Sequence, residues 1–167
     1  NLRQAKVKSI IDKKITGLVI ERKSRRSYPH SNIAAQIIGF TDVDDKGLIG
    51  IEEEYNEQLS GKPGWVVKQV NGKGRSQYKT SFPMKAPIDG ANIQLTIDLE
   101  YQSVLQEELS RRMNEANAKS AMGVLMNPQT GAVLAMASLP SYDPNNPMAS
   151  PIENQKNKII TDQFQPG

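Results

Sequence analysis

The stretch Ala121-Met-Gly-Val-Leu-Met126-Asn-Pro-Gln-Thr-Gly131-Ala-Val-Leu-Ala-Met-Ala137 decides how this chain folds. Two apolar runs of strand length, Ala121–Met126 and Ala132–Ala137, flank Asn127–Gly131, whose Asn, Pro and Gly are turn residues. That pattern predicts a β-hairpin. Upstream, Asp98 is a good N-cap, because its carboxylate can accept hydrogen bonds from the free N–H groups of a first helical turn. Tyr101, Val104, Leu105, Leu109 and Met113 then recur at helical spacing, which predicts a helix to about Asn117 with that stripe inward. Asn92–Ile97 reads as a strand leading into it. From about residue 88 the chain therefore spells strand, helix and hairpin. A sheet that small is marginal on its own.

Working outward, Pro83–Gly90 holds two prolines and an Asp-Gly pair, and it is the best linker in the chain. Before it, Leu2–Ile15 has helical spacing of apolar residues, and Gly17–Ile20 is a β-type run. Tyr28-Pro29 stops regular structure. Ser31–Ile38 reads as one or two helical turns capped by Ser31 and ended by Gly39. Leu48–Leu59 reads as one helix with Ile51, Tyr55 and Leu59 on a face, broken by Gly61–Gly64. Trp65–Val70 and Ser76–Phe82 read as a hairpin around Asn71–Gly74. Beyond the decisive hairpin, Leu139–Pro151 carries four prolines and predicts a loop. A short helix is expected around Glu153–Thr161. The fold class is α+β: a mixed module over 1–86, then the opening of a second domain over 88–167. The second part ends in a loop, so the chain reads as an excerpt, and Leu139 onward is expected to pack loosely or move.

Composition narrows function. The chain has 167 residues, 21 Lys+Arg, 18 Asp+Glu, one His and no Cys. A disulfide scaffold, a cysteine nucleophile and a Cys-based metal centre are excluded. No apolar run approaches transmembrane length, and no signal-peptide pattern is present. Residues 1–30 hold nine Lys/Arg against two Asp/Glu, and the rest hold twelve against sixteen. A basic arm can face nucleic acid or an anionic surface, yet only Tyr28 offers a stacking ring nearby, and single-strand sites want several. Nucleic acid is therefore not the expected partner.

The candidate chemical motifs fail on context. Ser76-Gln-Tyr-Lys79 matches Ser-x-x-Lys, but it sits in a polar hairpin and not at a helix start. Asn71-Gly-Lys-Gly74 lacks phosphate-loop spacing. Consecutive Glu52, Glu53 and Glu54, with Glu57, diverge around a helix and read as a solvated face. Asp42, Asp44 and Asp45 lack the Gly and Glu positions of a calcium loop. His30 reads as a surface residue. No catalytic, cofactor or metal residue is expected in this chain.

Five ordered stretches resemble one family, the class B penicillin-binding proteins, which are peptidoglycan D,D-transpeptidases. They are Arg26-Ser-Tyr28-Pro29 with Ala34–Phe40; Gly47-Leu-Ile-Gly50-Ile-Glu52 with Tyr55, Leu59 and Gly61; Gly90–Asp98 with Gln102; Val124–Pro140 continuing to Asn145; and Asn157–Gly167. Gly-Phe-Thr-Asp-Val-Asp-Asp-Lys-Gly (39–47) and Thr-Asp-Gln-Phe-Gln-Pro-Gly (161–167) look most like the cell-division (FtsI-type) branch, with the elongation branch a near competitor. Lys158, Gln165 and Asn127 are mild departures from the usual Arg, Glu and Asp.

The resemblance implies a non-catalytic pedestal over 1–86, then the first part of a transpeptidase domain. In the family, Pro-Gly is followed directly by the Ser-x-x-Lys nucleophile, so this chain stops short of it and is expected to be inactive alone. The pedestal motif residues are Arg26, Tyr28, Pro29, Gly39, Gly47, Gly50 and Glu52. Arg26 can grip a carboxylate with two bonds, and Glu52 is its plausible buried partner. The glycines allow tight turns or close backbone approach. Implied partners are other membrane proteins of the division machinery, including a peptidoglycan glycosyltransferase. The parent would bind stem peptides and β-lactams on the extracytoplasmic side of the inner membrane, and no cofactor is implied. The competing reading is a free-standing envelope interaction module with no enzymatic parent.

Overall fold

The structure, a computed structural model, describes residues 25–67, 69–70, 76–77 and 83–163, with isolated positions 10 and 13. The helix expected at Leu2–Ile15, the strand at Gly17–Ile20 and the turn at Asn71–Gly74 fall outside these residues. The first described element is a one-turn helix, α1 (Ala35–Ile38). Strands β1 (Phe40–Thr41) and β2 (Gly47–Ile49) form an antiparallel pair behind it. Helices α2 (Gly50–Glu54) and α3 (Asn56–Leu59) follow.

Two expectations are corrected here. Ser31 does not cap a helix: it has a left-handed φ of 51°, and the helix begins only after Ala34, also left-handed at φ 55°. Residues 29–34 form tight turns instead, closed by Ser31 N–H to Tyr28 O and Ile33 N–H to His30 O. Leu48–Leu59 is not one helix. Its start pairs with β1 as a strand, and Tyr55 interrupts the helical part at φ −108°. Gly39 does end α1, at φ 79°.

The hairpin expected at Trp65–Phe82 is more divided than its sequence suggests. β3 (Trp65–Val66) pairs with β6 (Met84–Lys85), and β4 (Gln69–Val70) pairs with β5 (Ser76–Gln77), all antiparallel. Pro83–Gly90 is therefore no free linker. It carries β6, and Ile88 exchanges backbone hydrogen bonds with Lys62.

The second part matches its pattern more closely. α4 (Leu99–Glu115) starts where Asp98 accepts hydrogen bonds from the N–H groups of Glu100 and Tyr101 at 2.9 and 3.2 Å. β7 (Ala121–Met126) and β8 (Val133–Leu139) form the hairpin. Asn127 organises its turn by accepting from the N–H groups of Gln129 and Thr130.

Asn92–Ile97 forms no strand. Its odd residues are half-buried in alternation, but the hydrogen bonds to β8 here are Thr96 Oγ1 to Val133 O and, from the following residue, Asp98 N–H to Leu134 O. Those two bonds do not make a ladder.

The inward face of α4 also differs from the expected stripe. Leu105, Leu109 and Met113 of that stripe are half-buried, with Leu105 and Leu109 against Gly123 of β7, but Tyr101 and Val104 are exposed, and the fully buried residues are Gln102 and Gln106. The reason is geometric. α4 lies along the open edge of β8, which presents peptide groups as well as side chains. Gln102 Oε1 accepts from Met136 N–H at 2.8 Å, and Gln102 Nε2 donates to Met136 O at 2.9 Å. One side-chain amide thus replaces a missing strand at that position.

Leu139–Pro151 is anchored, against the expectation of loose packing. The Leu139–Pro140 peptide is cis, and Tyr142 is buried. Tyr142 meets Phe40 edge to face at 5.9 Å, and Ala35 completes the cluster. This aromatic pair joins the two halves of the chain. A 3₁₀ turn at Pro147–Ala149 and two short helices, α5 (Ile152–Gln155) and α6 (Lys158–Thr161), follow.

Ser138 has a buried hydroxyl with no hydrogen-bond partner. Burying such a group costs about 1–3 kcal/mol. Ser138→Ala is therefore expected to leave the melting temperature unchanged or raise it. A fall of several degrees in a thermal melt would show that the hydroxyl is satisfied in solution.

Candidate functional site

The pedestal motif residues converge. Arg26 Nε lies 2.9 Å from Glu52 Oε1 and Arg26 Nη2 lies 3.1 Å from Oε2, a bidentate grip. Glu52 is 7% exposed, so this carboxylate depends on its partners. Tyr28 adds a third contact, its hydroxyl donating to Glu52 Oε1 at 3.3 Å while accepting from Thr41 N–H at 3.2 Å. The solvated-face reading holds for Glu53, Glu54 and Glu57, which are exposed, but not for Glu52, which turns inward because Arg26 and Tyr28 satisfy its carboxylate there.

The three glycines hold this arrangement close. An added Cβ at Gly39 would lie 1.8 Å from Ile49 O, and one at Gly50 would lie 2.5 Å from Ile37 O. The two glycines sit back to back, which lets α1 approach α2. At Gly47 the obstacle would be Glu52 O, also at 1.8 Å. Its N–H donates to Asn56 Oδ1. Gly47 thus lets β2 run against the residue that Arg26 grips.

Beside the pair lies an open cleft of about 440 Å³. Residues 26–31 and Glu52 line it, together with the apolar side chains of Ile33, Ile38, Ile51, Leu59, Ile93 and Leu95. The cleft joins an apolar floor to a charged but internally neutralised rim. Arg26 itself remains partly exposed, with 38% of its side chain open. His30 is exposed, as expected.

Sequence reasoning missed the residues that join this site to the second half. Asn145 Oδ1 accepts from Tyr28 N–H at 3.0 Å, and Asn145 Nδ2 donates to Tyr28 O at 2.8 Å. This is the same amide-for-strand substitution that Gln102 makes on β8. Asn145 is itself held by Asp143 Oδ1, which accepts from its N–H and its Nδ2. The sequence signals for Asn145 are its place at the end of the fourth family-resembling stretch and the Asn145-Asn146 pair within a proline-rich loop.

The phenols respond to this environment. Burial and the Glu52 charge raise the Tyr28 pKa above its ordinary 10.0, and burial, with a smaller effect from Tyr28, raises that of Tyr142 further. Above pH 10 the unfolded chain therefore loses protons that the folded chain keeps, and stability falls as pH rises. Below that pH these groups contribute no pH dependence. Urea unfolding between pH 8 and 11 is expected to show this alkaline loss, and Tyr142→Phe to reduce it. Tyr142→Phe also loses the hydroxyl's bond to Ala35 O, costing about 1 kcal/mol at neutral pH. An unchanged alkaline slope in that variant would refute the assignment.

Among the described residues, no group of three or more His, Asp or Glu could hold a metal ion. No helix among them is long and apolar enough to cross a membrane. Ser76 lies on β5, not at a helix start, so the formal Ser-x-x-Lys match lacks the context its chemistry needs.

The comparison with known proteins gives the class to which this arrangement of glycines, gripped carboxylate, helix and hairpin belongs. Residues 1–95 match the penicillin-binding protein dimerisation domain, and residues 121–167 match the penicillin-binding protein transpeptidase domain. The chain belongs to the penicillin-binding protein family. Its relatives include the peptidoglycan D,D-transpeptidase FtsI of Escherichia coli K12, 37% identical over 154 residues. That alignment covers 92% of this chain and 26% of the relative, so the chain spans about a quarter of that protein's length. Among solved structures, a peptidoglycan synthetase from Bifidobacterium adolescentis superposes with a TM-score of 0.73 at 23% identity, covering 100% of this chain and 30% of that one. The penicillin-binding protein PBP2 of Helicobacter pylori, solved in complex with MreC, superposes at 0.61 and 24% identity, covering 86% and 28%. These two likenesses are to the α+β fold.

Proposed function

We propose that this chain is the pedestal and the opening of the catalytic domain of a division-type peptidoglycan D,D-transpeptidase. The observation that carries the reading is the order of the two family matches along one chain that spans only a quarter of its relatives. Residues 1–86 act as the pedestal, and residues 88–167 begin the transpeptidase domain. The chain alone is non-catalytic. In the longer protein, a serine beyond it is acylated by stem peptides during septal cross-linking and by β-lactams.

The pedestal supplies a partner-binding surface on the extracytoplasmic side of the inner membrane. Its contacts are other membrane proteins of the division machinery, including a peptidoglycan glycosyltransferase. Support for protein partners comes from the Helicobacter pylori relative, which was solved in complex with MreC. Arg26, Tyr28 and Pro29 beside the apolar cleft are the proposed contact residues, while Glu52, Gly39, Gly47 and Gly50 hold them in place.

A fluorescent β-lactam tests the catalytic part. No covalent adduct is expected on this chain, and one is expected on the protein encoded when the reading frame is extended past Gly167. An adduct on the chain alone would overturn its non-catalytic status. A frame that continues without a Ser-x-x-Lys nucleophile would overturn the enzymatic parentage.

A further inference from the structure

Residues 31–38 form a two-faced strap. One face, through Ser31, Ile33 and Ile38, lines the cleft beside Arg26 and Glu52. The other face turns its polar groups toward the second half of the chain. Gln106 Nε2 donates to Asn32 O at 2.9 Å, Tyr142 OH donates to Ala35 O at 3.0 Å, and Ser141 Oγ donates to Asn32 O at 3.1 Å. Ser31 and Ala34 both hold left-handed backbones, which L-residues keep only when their surroundings enforce it.

Gln36 is the node of this face. It is 8% exposed. Its amide nitrogen has two hydrogens and two good acceptors, Ser138 O at 2.9 Å and Asn154 O at 3.0 Å. The first acceptor ends β8 and the second belongs to α5. The 152–162 segment has one apolar hold, Ile159, half-buried beside Met122, Gly123 and Val124 of β7. Ile152 and Ile160 are each 74% exposed and add little to it. Asn157 Nδ2 reaches only the Met136 sulfur, a weak acceptor. Gln155 bonds to Pro147 O, within the same run of chain.

We propose that Gln36 is a positioning residue that fixes the 152–162 segment against the strap, so that the pedestal sets where this segment lies. Under the reading above, on which the catalytic consequence rests, this segment leads toward the acylated serine of the longer protein. Gln36 touches no substrate. It acts through Asn154 and the β8 terminus.

Amide hydrogen exchange on this chain tests the placement without any activity. In Gln36→Met, which keeps volume and loses both donors, the amides of Asn154 and of Ile160–Asp162 are expected to exchange about tenfold faster. Those in the middle of α4 are expected to stay protected. A uniform rise across the chain, or no change at 152–162, would overturn the proposal. Native-state exchange of the unsubstituted chain in rising urea gives a second readout. Residues 35–38 and 154–162 are expected to open as one unit, and separate openings would contradict the coupling.

In the extended protein, Gln36→Met is expected to slow β-lactam acylation about tenfold while the preceding non-covalent affinity holds. A loss of affinity with an unchanged acylation step would overturn the positioning role. If the unsubstituted extended protein fails to acylate at all, the transpeptidase reading fails, and the exchange experiments still decide the coupling.

Discussion

Gly39→Ala is expected to abolish cooperative folding of this chain. Two penalties coincide at that position. The backbone is left-handed at φ 79°, and an added Cβ would stand 1.8 Å from Ile49 O and 2.5 Å from the same carbonyl carbon. No Cβ tolerates such distances, and the obstacle is backbone, so a rotamer change cannot relieve it. β2 must separate from α1, which uncovers Ala35 and Phe40 and loosens Tyr142. Losses above about 4 kcal/mol come from defects of this kind, and they consume much of the 5–15 kcal/mol that stabilises a typical domain.

Gly131→Ala is the matched control. Gly131 has a similar φ of 74°, but nothing lies within 4 Å of its added Cβ. Only backbone strain remains there, about 1–2 kcal/mol. Urea unfolding followed by circular dichroism separates the two: Gly131→Ala shifts the midpoint, and Gly39→Ala leaves no transition. Equal modest shifts would mean that α1 and α2 do not approach as closely as the structure has them.

Gly39 also illustrates what the sequence reveals. A Gly after an apolar helical turn signals a helix end, and the end is there. The β7–β8 hairpin and the Asp98 cap are legible for the same reason: each depends on a few adjacent residues with special backbone chemistry. The Arg26–Glu52 pair is legible from side-chain chemistry together with the family resemblance, since a buried carboxylate needs a bidentate cation.

What stays hidden depends on partners distant in sequence. Gln102 and Gln106 are the most buried residues of α4, while the apolar stripe runs through Tyr101 and Val104, which are exposed, as well as Leu105, Leu109 and Met113. A glutamine looks polar until an open strand edge stands opposite it. Asn92–Ile97 has strand alternation, but whether a ladder forms depends on β8, about forty residues later. Pro83–Gly90 has linker composition, yet Lys62 pins it through Ile88. The residues joining the two halves (Gln36, Gln106, Tyr142 and Asn145) act mainly by side-chain amides or a hydroxyl on peptide groups. That mode leaves no periodic pattern. Its sequence traces are glutamine at i and i+4 on a helix and the Asn145-Asn146 pair in a proline-rich loop, each a weak signal by itself.

Arg26→Met is expected to destabilise the chain by about 2 kcal/mol, and Glu52→Leu added to it to recover much of that loss. The asymmetry follows from burial. Glu52 is almost fully enclosed, while Arg26 keeps more than a third of its side chain in solvent. Removing the arginine strands a carboxylate with only the Tyr28 hydroxyl among the described residues, and an unpaired buried charge is costly. Water reaching the Arg26 position limits that cost, which is why the figure falls below the 3–5 kcal/mol typical of fully buried pairs. Removing both charges leaves an apolar patch continuous with Ile51 and Leu59 on the cleft floor. A double-mutant cycle in urea reads the coupling directly. Additive losses would mean that Glu52 has other support, and the pair would then be a surface feature. A strong coupling would mean that the grip holds β2, α2 and the cleft rim together. In that case Arg26→Met should weaken both the fold and the partner contact proposed above, whereas the double variant should restore the fold alone.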